Sequence, residues 1–112
     1  MDEERLPSDV WVMGHVRSGI AQNITITIVR KGEPKFGTVL LKINRLDGRC
    51  RVLTQARDID GRLGWLVAFK GAEVPEAEAD AYIARAVDRD PDLWVVEIED
   101  REGRQVFEGK LL

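Results

Sequence analysis

The chain has 112 residues, 44% hydrophobic and 33% charged, with a formal net charge of -3 and a single cysteine, Cys50. That length suits one domain and is short for two, the mix is globular rather than disordered, and a lone cysteine excludes an intrachain disulfide or a cysteine-built metal cage. No apolar run reaches the ~18 residues of a membrane span, and the acidic start Met1-Asp2-Glu3-Glu4-Arg5 lacks the basic and apolar regions of a signal peptide, so a soluble cytoplasmic protein is expected.

Charge is unevenly spread. Residues 1–70 hold 12 Lys/Arg against 8 Asp/Glu, a net +4, whereas residues 71–112 hold 5 against 12, a net -7. Such asymmetry can indicate a partner surface or two parts of one domain that attract each other, but charges in a small domain rarely divide evenly along the chain, and that plain reading is favoured.

In chain order, residues 1–6 read as a frayed arm. Pro7-Ser8-Asp9 starts a helix, with Ser8 as the cap for exposed backbone N–H groups. Residues 9–22 carry two patterns. Val12, Val16 and Ile20 recur every four positions, as on a helix face, yet with Val10 they also occupy alternate positions, as in a strand. Length favours the helix, because strands are usually shorter. Residues 24–30 alternate isoleucine with threonine and form the cleanest strand. A turn at 31–34 leads to a second strand at 37–44. Leu46-Asp47-Gly48 is a hairpin turn, since Asp-Gly accepts positive φ at little cost. A third strand at 49–57, a turn at 58–62 and a fourth strand at 65–70 follow, the last with Trp65, Val67 and Phe69 on one face.

Pro75 then opens a second helix, where its missing N–H does no harm. Acidic Glu76, Glu78 and Asp80 near its start and basic Arg85 and Arg89 near its end complement the helix dipole. Ala79, Ile83, Ala86 and Val87 form its apolar stripe, with Tyr82 alongside. Asp90-Pro91 stops it, because proline disfavours helical geometry in the preceding residue. A fifth strand at 93–99 and a short last strand near 105–107 complete a single α+β domain over residues 1–112. Short links between early strands force antiparallel pairing. The expected architecture is a mainly antiparallel sheet of five to six strands with two helices packed on one face. An open opposite face would carry Leu53 and Val95, which a homodimer could cover.

Lys42-Ile43-Asn44-Arg45-Leu46-Asp47-Gly48 and the block from Asp90-Pro91-Asp92-Leu93-Trp94 to Asp100-Arg101 carry a family likeness. On these residues the chain resembles a small alphaproteobacterial family catalogued as a domain of unknown function. The resemblance runs from the Trp11-Val12 helix through Arg30-Lys31-Gly32 to the second block, and the family's alanine- and leucine-rich first helices support a helix at 9–22. It implies no reaction, cofactor or ligand.

No residue pattern marks a catalytic centre. His15 is the only histidine and lacks a recognisable partner. Cys50 shares a strand face with Val52, Thr54 and Ala56, as a small core hydrophobe does. Asp58-Ile59-Asp60-Gly61 begins like a calcium loop, but Phe69 stands where the twelfth-position Glu is required. No phosphate-binding glycine loop, dinucleotide fingerprint or nucleophile elbow is present. No cofactor or metal is therefore expected.

The candidate binding residues are charged strand positions. Arg49, Arg51 and Arg57 share one side of the third strand, with Lys42 placed on the same face of its neighbour. A basic face of this kind can bind phosphate backbones, although exposed aromatics for base stacking are missing. Glu97 and Glu99 share a face of the fifth strand, flanked by Asp92 and Asp100; such acids can bind a metal or act as acid and base, but on an exposed face opposite arginines they are more often solvated or paired across strands. The leading expectation is a non-enzymatic binding or protein-interaction module. A nucleic-acid-binding domain using Arg49 and Arg51 is the first alternative, and a small enzyme of unknown reaction the second.

Overall fold

A computed structural model describes residues 6–112. The sequence expectation for residues 1–6 falls, apart from exposed Leu6, outside the described residues. The elements are α1 (Ser8–Ala21), β1 (Thr25–Arg30), β2 (Val39–Asn44), β3 (Arg49–Arg57), β4 (Leu63–Val67), β5 (Val74–Pro75), α2 (Glu76–Arg89), β6 (Trp94–Glu99) and β7 (Lys110–Leu111), with a 3-10 turn at Ala68–Gly71. Their strands form one seven-stranded sheet in the order β1-β6-β2-β3-β4-β7, with β5 paired to the start of β3. Pairing is antiparallel except between β2 and β6 and between β4 and β7.

The α+β class and the largely antiparallel sheet follow the sequence. The placement of the helices differs from expectation: they take one face each. On one face, Trp11, Val12 and Val16 of α1 pack with Leu41, Ile43, Leu53, Trp94, Val96 and Ile98. On the other, Ala79, Tyr82, Ile83 and Ala86 of α2 pack with Leu40, Cys50, Val52 and Val95. All six residues of β2 are buried for this reason. Leu53 and Val95 are likewise buried, on opposite faces, so no open face carries both.

The ambiguous N-terminal segment is a helix, but Ser8 does not cap it. Pro7 holds the cap position in an extended conformation, with φ -54° and ψ 145°. The first-turn N–H groups of Ser8 and Asp9 instead donate to the carbonyls of Lys35 (3.1 Å) and Pro34 (2.9 Å), and the Ser8 hydroxyl donates to Gly37 O at 2.7 Å. The loop thus supplies the acceptors that a helix start needs.

Two strand expectations fail for backbone reasons. The fourth strand ends at Val67 because Phe69 and Lys70 both take left-handed conformations, at φ 56° each. This breaks the alternation that placed Phe69 beside Trp65 and Val67, and turns its ring against Tyr82 on the α2 side, 5.2 Å between centroids. The last strand forms at Lys110–Leu111 rather than near 105–107. Phe107 is used differently: it is buried under α1 against Trp11 and Trp65.

The Asp90-Pro91 break does end α2, and the segment after it acts as a hub. Arg30 Nη1 donates to Leu93 O (2.8 Å), the Glu33 N–H to Asp92 O (2.9 Å), and the Trp94 indole N–H to Glu33 O (2.8 Å). Gly32 allows this close approach, since a Cβ there would collide with the Asp92 carbonyl and the Trp94 indole.

Candidate functional site

The α2 face of the sheet holds two neighbourhoods that could carry function. At the N-terminal end of α2 lies a charged cluster centred on Lys42. Alternation along β2 points Lys42 toward α2, where it is only 6% exposed. Its ammonium donates to Glu76 Oε2 at 2.7 Å and Asp80 Oδ1 at 2.8 Å, and Glu97 Oε2 lies 3.9 Å away. Glu76 and Asp80 are four apart, on one side of the first turns of the helix. Asn44 Nδ2 donates to Glu97 at 2.9 Å and completes the group.

The chemistry of this cluster is quiet. Burial alone would lower the Lys42 pKa, but hydrogen bonds to Asp80 and Glu76 and the charge of Glu97 outweigh it and raise it above its ordinary value. Lys42 is thus held as a cation and does not offer a free amine. Cys50 is fully buried nearby, and burial raises its thiol to about 11, with nearby Lys42 only partly opposing. A protonated, buried thiol is a poor nucleophile. Among the described residues, no group of three or more His, Cys, Asp or Glu side chains is arranged to hold a metal ion.

The sequence-derived binding residues are therefore distributed over both faces. Lys42 pairs with Val52 across the β2–β3 ladder while Arg51 pairs with Ile43, so Lys42 and Arg51 point to opposite faces. This corrects the expectation that Lys42 extends the arginine face. Arg49 donates to Glu73 O at 2.9 Å and Arg57 to Gly61 O at 2.9 Å, while the Arg51 Nε is buried without a partner among the described residues. Glu97 and Glu99 lie on the α2 side, since Trp94, Val96 and Ile98 face α1. They do not meet the three arginines. Glu97 serves Lys42 and Asn44 instead.

His15 is fully engaged on the α1 side. Its Nδ1–H donates to Trp11 O (2.8 Å), its Nε2 accepts from the Glu108 N–H (3.2 Å), and its ring stacks on Phe107 at 4.5 Å. These bonds assign the neutral Nδ1–H tautomer. Asp58 accepts from the N–H groups of Asp60 and Arg62 and closes a turn.

The second neighbourhood lies at the C-terminal end of α2. A cleft of about 290 Å³ opens between that end and the sheet. Leu40, Leu66, Val67, Ala68, Ala86 and Leu93 make its apolar wall, and Thr38, Thr54, Tyr82, Arg89 and Asp90 bring polar groups to it. The cleft exists because small side chains face one another there: Thr38 before β2, Thr54 on β3, Ala68 after β4 and Ala86 on α2. The left-handed residues Phe69 and Lys70 adjoin this wall. Such a conformation costs a non-glycine residue roughly 1–2 kcal/mol, and it holds Phe69 against Tyr82.

A family model described as a protein of unknown function (DUF1491) matches residues 6–108. The chain belongs to this family. Among solved structures, the DUF1491 domain described above is similar to the crystal structure of a DUF1491 family protein from Caulobacter crescentus, at 36% identity and TM-score 0.86, covering 96% of this chain and 100% of that one. It is also similar to the NMR structure of a DUF1491 family protein from the same organism, at 35% identity and TM-score 0.83, covering 98% and 99%. The solution structure of protein Atu0922 from A. tumefaciens matches at 26% identity and TM-score 0.72, covering 86% of each chain. No curated protein matches. Within the DUF1491 domain, the two segments that carried the family likeness prove to be paired: β2 and β6 run parallel, with Lys42 opposite Glu97 and Asn44 opposite Glu99.

Reading residues alone missed Glu76 and Asp80 as partners of Lys42, and missed the whole cleft. A signal for the first was present. A lysine inside the apolar run Val39-Leu40-Leu41-Lys42-Ile43 must be paired if the strand is buried, and the acids opening α2 were the nearest supply. No comparable signal marked the cleft, whose lining comes from several separate elements.

Proposed function

We propose that this domain is a non-catalytic binding module acting in the cytoplasm, and that the cleft at the C-terminal end of α2 is its binding site. One contrast carries the reading. The groups able to do chemistry are occupied: Lys42 by carboxylates, Cys50 by burial, His15 by bonds at both ring nitrogens. The cleft, by contrast, combines an apolar wall with a few polar groups, the usual make-up of a ligand site. The phosphate-backbone alternative gains no support, because the basic residues divide between two faces and Arg49 and Arg57 are committed to carbonyls. The small-enzyme alternative has a concavity in its favour, but the two groups most suited to nucleophilic or acid–base work, Cys50 and His15, lie outside its lining.

The test is a two-dimensional amide NMR titration of the full chain with 3-methyl-1-butanol, a small neutral apolar probe. Saturable shifts confined to residues such as Leu40, Thr54, Ala86 and Leu93, and lost on Ala86→Leu, are expected. Shifts elsewhere, or shifts unaffected by that substitution, would overturn the reading.

A second reading, protein interaction, is favoured by the outer side of α1. Val10, Met13 and Ile20 lie within one helical face and are 52%, 38% and 66% exposed. Sedimentation that fits a monomer at high concentration, in the native chain and in Met13→Glu alike, would remove self-association through that face.

A further inference from the structure

We propose that the cleft takes a free apolar α-amino acid of about the size of leucine, with its carboxylate on Arg89, its ammonium on Asp90 and its side chain against Leu40, Leu66 and Leu93. The inference rests on the cleft being a binding site, and adds the chemical class of its ligand. Size is the first argument. A volume of about 290 Å³ lies at the lower edge of the roughly 300–1,000 Å³ typical of small-molecule pockets. It suits a molecule smaller than a nucleotide or a drug.

Charge is the second argument. Arg89 and Asp90 both line the cleft, at the last residue of α2 and the one after it. Neither takes part in an ion pair among the described residues. Arg89 is exposed and Asp90 half-buried, and among the described residues only the Oδ1 of Asp90 is engaged, by the Asp92 N–H at 3.1 Å. The carbonyl end of α2 adds partial negative charge beside Asp90 and favours an ammonium there. A guanidinium is suited to receive a carboxylate through two parallel hydrogen bonds. A cation and an anion that both line one cleft match a zwitterion. A ligand carrying only a carboxylate would leave Asp90 facing it, and one carrying only an amine would face Arg89.

The wall supplies the third argument. Six apolar side chains make it, while Thr38, Thr54 and Tyr82 are the uncharged polar contributors. This favours a hydrocarbon side chain over a charged one. Phe69, with the left-handed backbone at 69–70, packs against Tyr82, a residue of the lining.

The experiment extends the amide titration of the full chain to L-leucine, 4-methylpentanoate, which lacks the ammonium, and 3-methylbutylamine, which lacks the carboxylate. Leucine is expected to shift cleft resonances saturably, and each analogue to bind about tenfold more weakly, the loss of one charge-assisted hydrogen bond. Arg89→Gln and Asp90→Asn are each expected to weaken leucine by about the same factor. Asparagine retains the acceptor for the Asp92 N–H, so the turn is kept. Equal binding by either analogue, or leucine affinity unchanged in both variants, overturns the proposal while leaving a neutral-probe site in place. Absence of cleft shifts with leucine and with 3-methyl-1-butanol overturns this proposal and the binding reading together.

Discussion

Lys42 Nζ donates to Asp80 Oδ1 at 2.8 Å, joining the middle of a strand buried on both faces to the second turn of α2. Lys42 belongs to the net-positive stretch of the chain and Asp80, with Glu76 and Glu97, to the net-negative one. Arg45 Nη1 repeats the pattern with Glu73 at 2.9 Å. Part of the charge asymmetry along the sequence is thus neutralised inside the domain.

Removing opposite ends of this cluster should have unequal effects. Lys42→Met leaves Glu76 and Asp80, which are about half exposed, free to be solvated, and Glu97 still bonded to Asn44, so it should stay within about 1 kcal/mol of the native chain. The double variant Glu76→Gln/Asp80→Asn leaves a buried ammonium with Glu97 alone and should cost about 2–4 kcal/mol. Urea unfolding of both variants checks this. The reverse order of stabilities would show that the cluster is not governed by burial of the lysine.

The alkaline limb of stability follows from the same neighbourhood. The folded-state pKa of Cys50 is raised to about 11, and that of Lys42 is raised as well. A group whose pKa rises on folding contributes stability below its unfolded value, lost as pH climbs through the folded one. For Cys50 that window runs from about 9, the ordinary thiol value, to about 11. Between pH 8 and pH 10 the native chain should lose about 1 kcal/mol more than Cys50→Ala. Urea midpoints at the two pH values measure the difference, and iodoacetamide should label Cys50 only once the chain unfolds.

On the acid side, Asp100 works in the opposite direction. A side-chain hydrogen bond from Arg104, at 3.0 Å from Nε, holds its carboxyl below the usual carboxylate range despite burial. Its contribution is complete above about pH 4, the unfolded value, and is lost as pH falls through the depressed folded value. Asp100→Asn should therefore be less stable at pH 7 and show a shallower decline between pH 5 and pH 2. Acid unfolding followed by tryptophan fluorescence checks the slope.

The hub after α2 should tolerate little. Gly32→Ala would place a methyl against the Asp92 carbonyl, a backbone atom that cannot swing aside. It should cost about 2–4 kcal/mol, in the range of overpacked buried sites. Gly14→Ala on α1 meets nothing nearby and should be neutral or stabilising, since alanine favours helices. Thermal melts of the two variants side by side provide the measurement.

What could be read from residues alone depended on local signals. The alternation at β1, the Asp-Gly turn at Asp47-Gly48, the Asp90-Pro91 stop and the charge polarity of α2 each lie within a few consecutive residues, and each predicted its element. The two-sided burial of β2 was harder, because Leu40 and Leu41 are both apolar and offer no alternation to orient the strand. With that orientation open, Lys42 was placed on the wrong face and the helices on the same one. Phe69 misled for a different reason: its spacing suits a strand, while its left-handed backbone is set by the turn into β5. The cleft was illegible because it is a space left by Thr38, Thr54, Ala68 and Ala86, which meet only after folding.

The most direct test of the central claim, that the α2 face works through its open cleft rather than its charged cluster, is a crystal structure of the full chain soaked with 3-methyl-1-butanol. Density for the probe between Tyr82, Ala86 and the Leu40–Thr54 floor, with Lys42 still bonded to Glu76 and Asp80, is the expected result. A cleft closed by its own side chains, with the probe absent from it, would contradict the account.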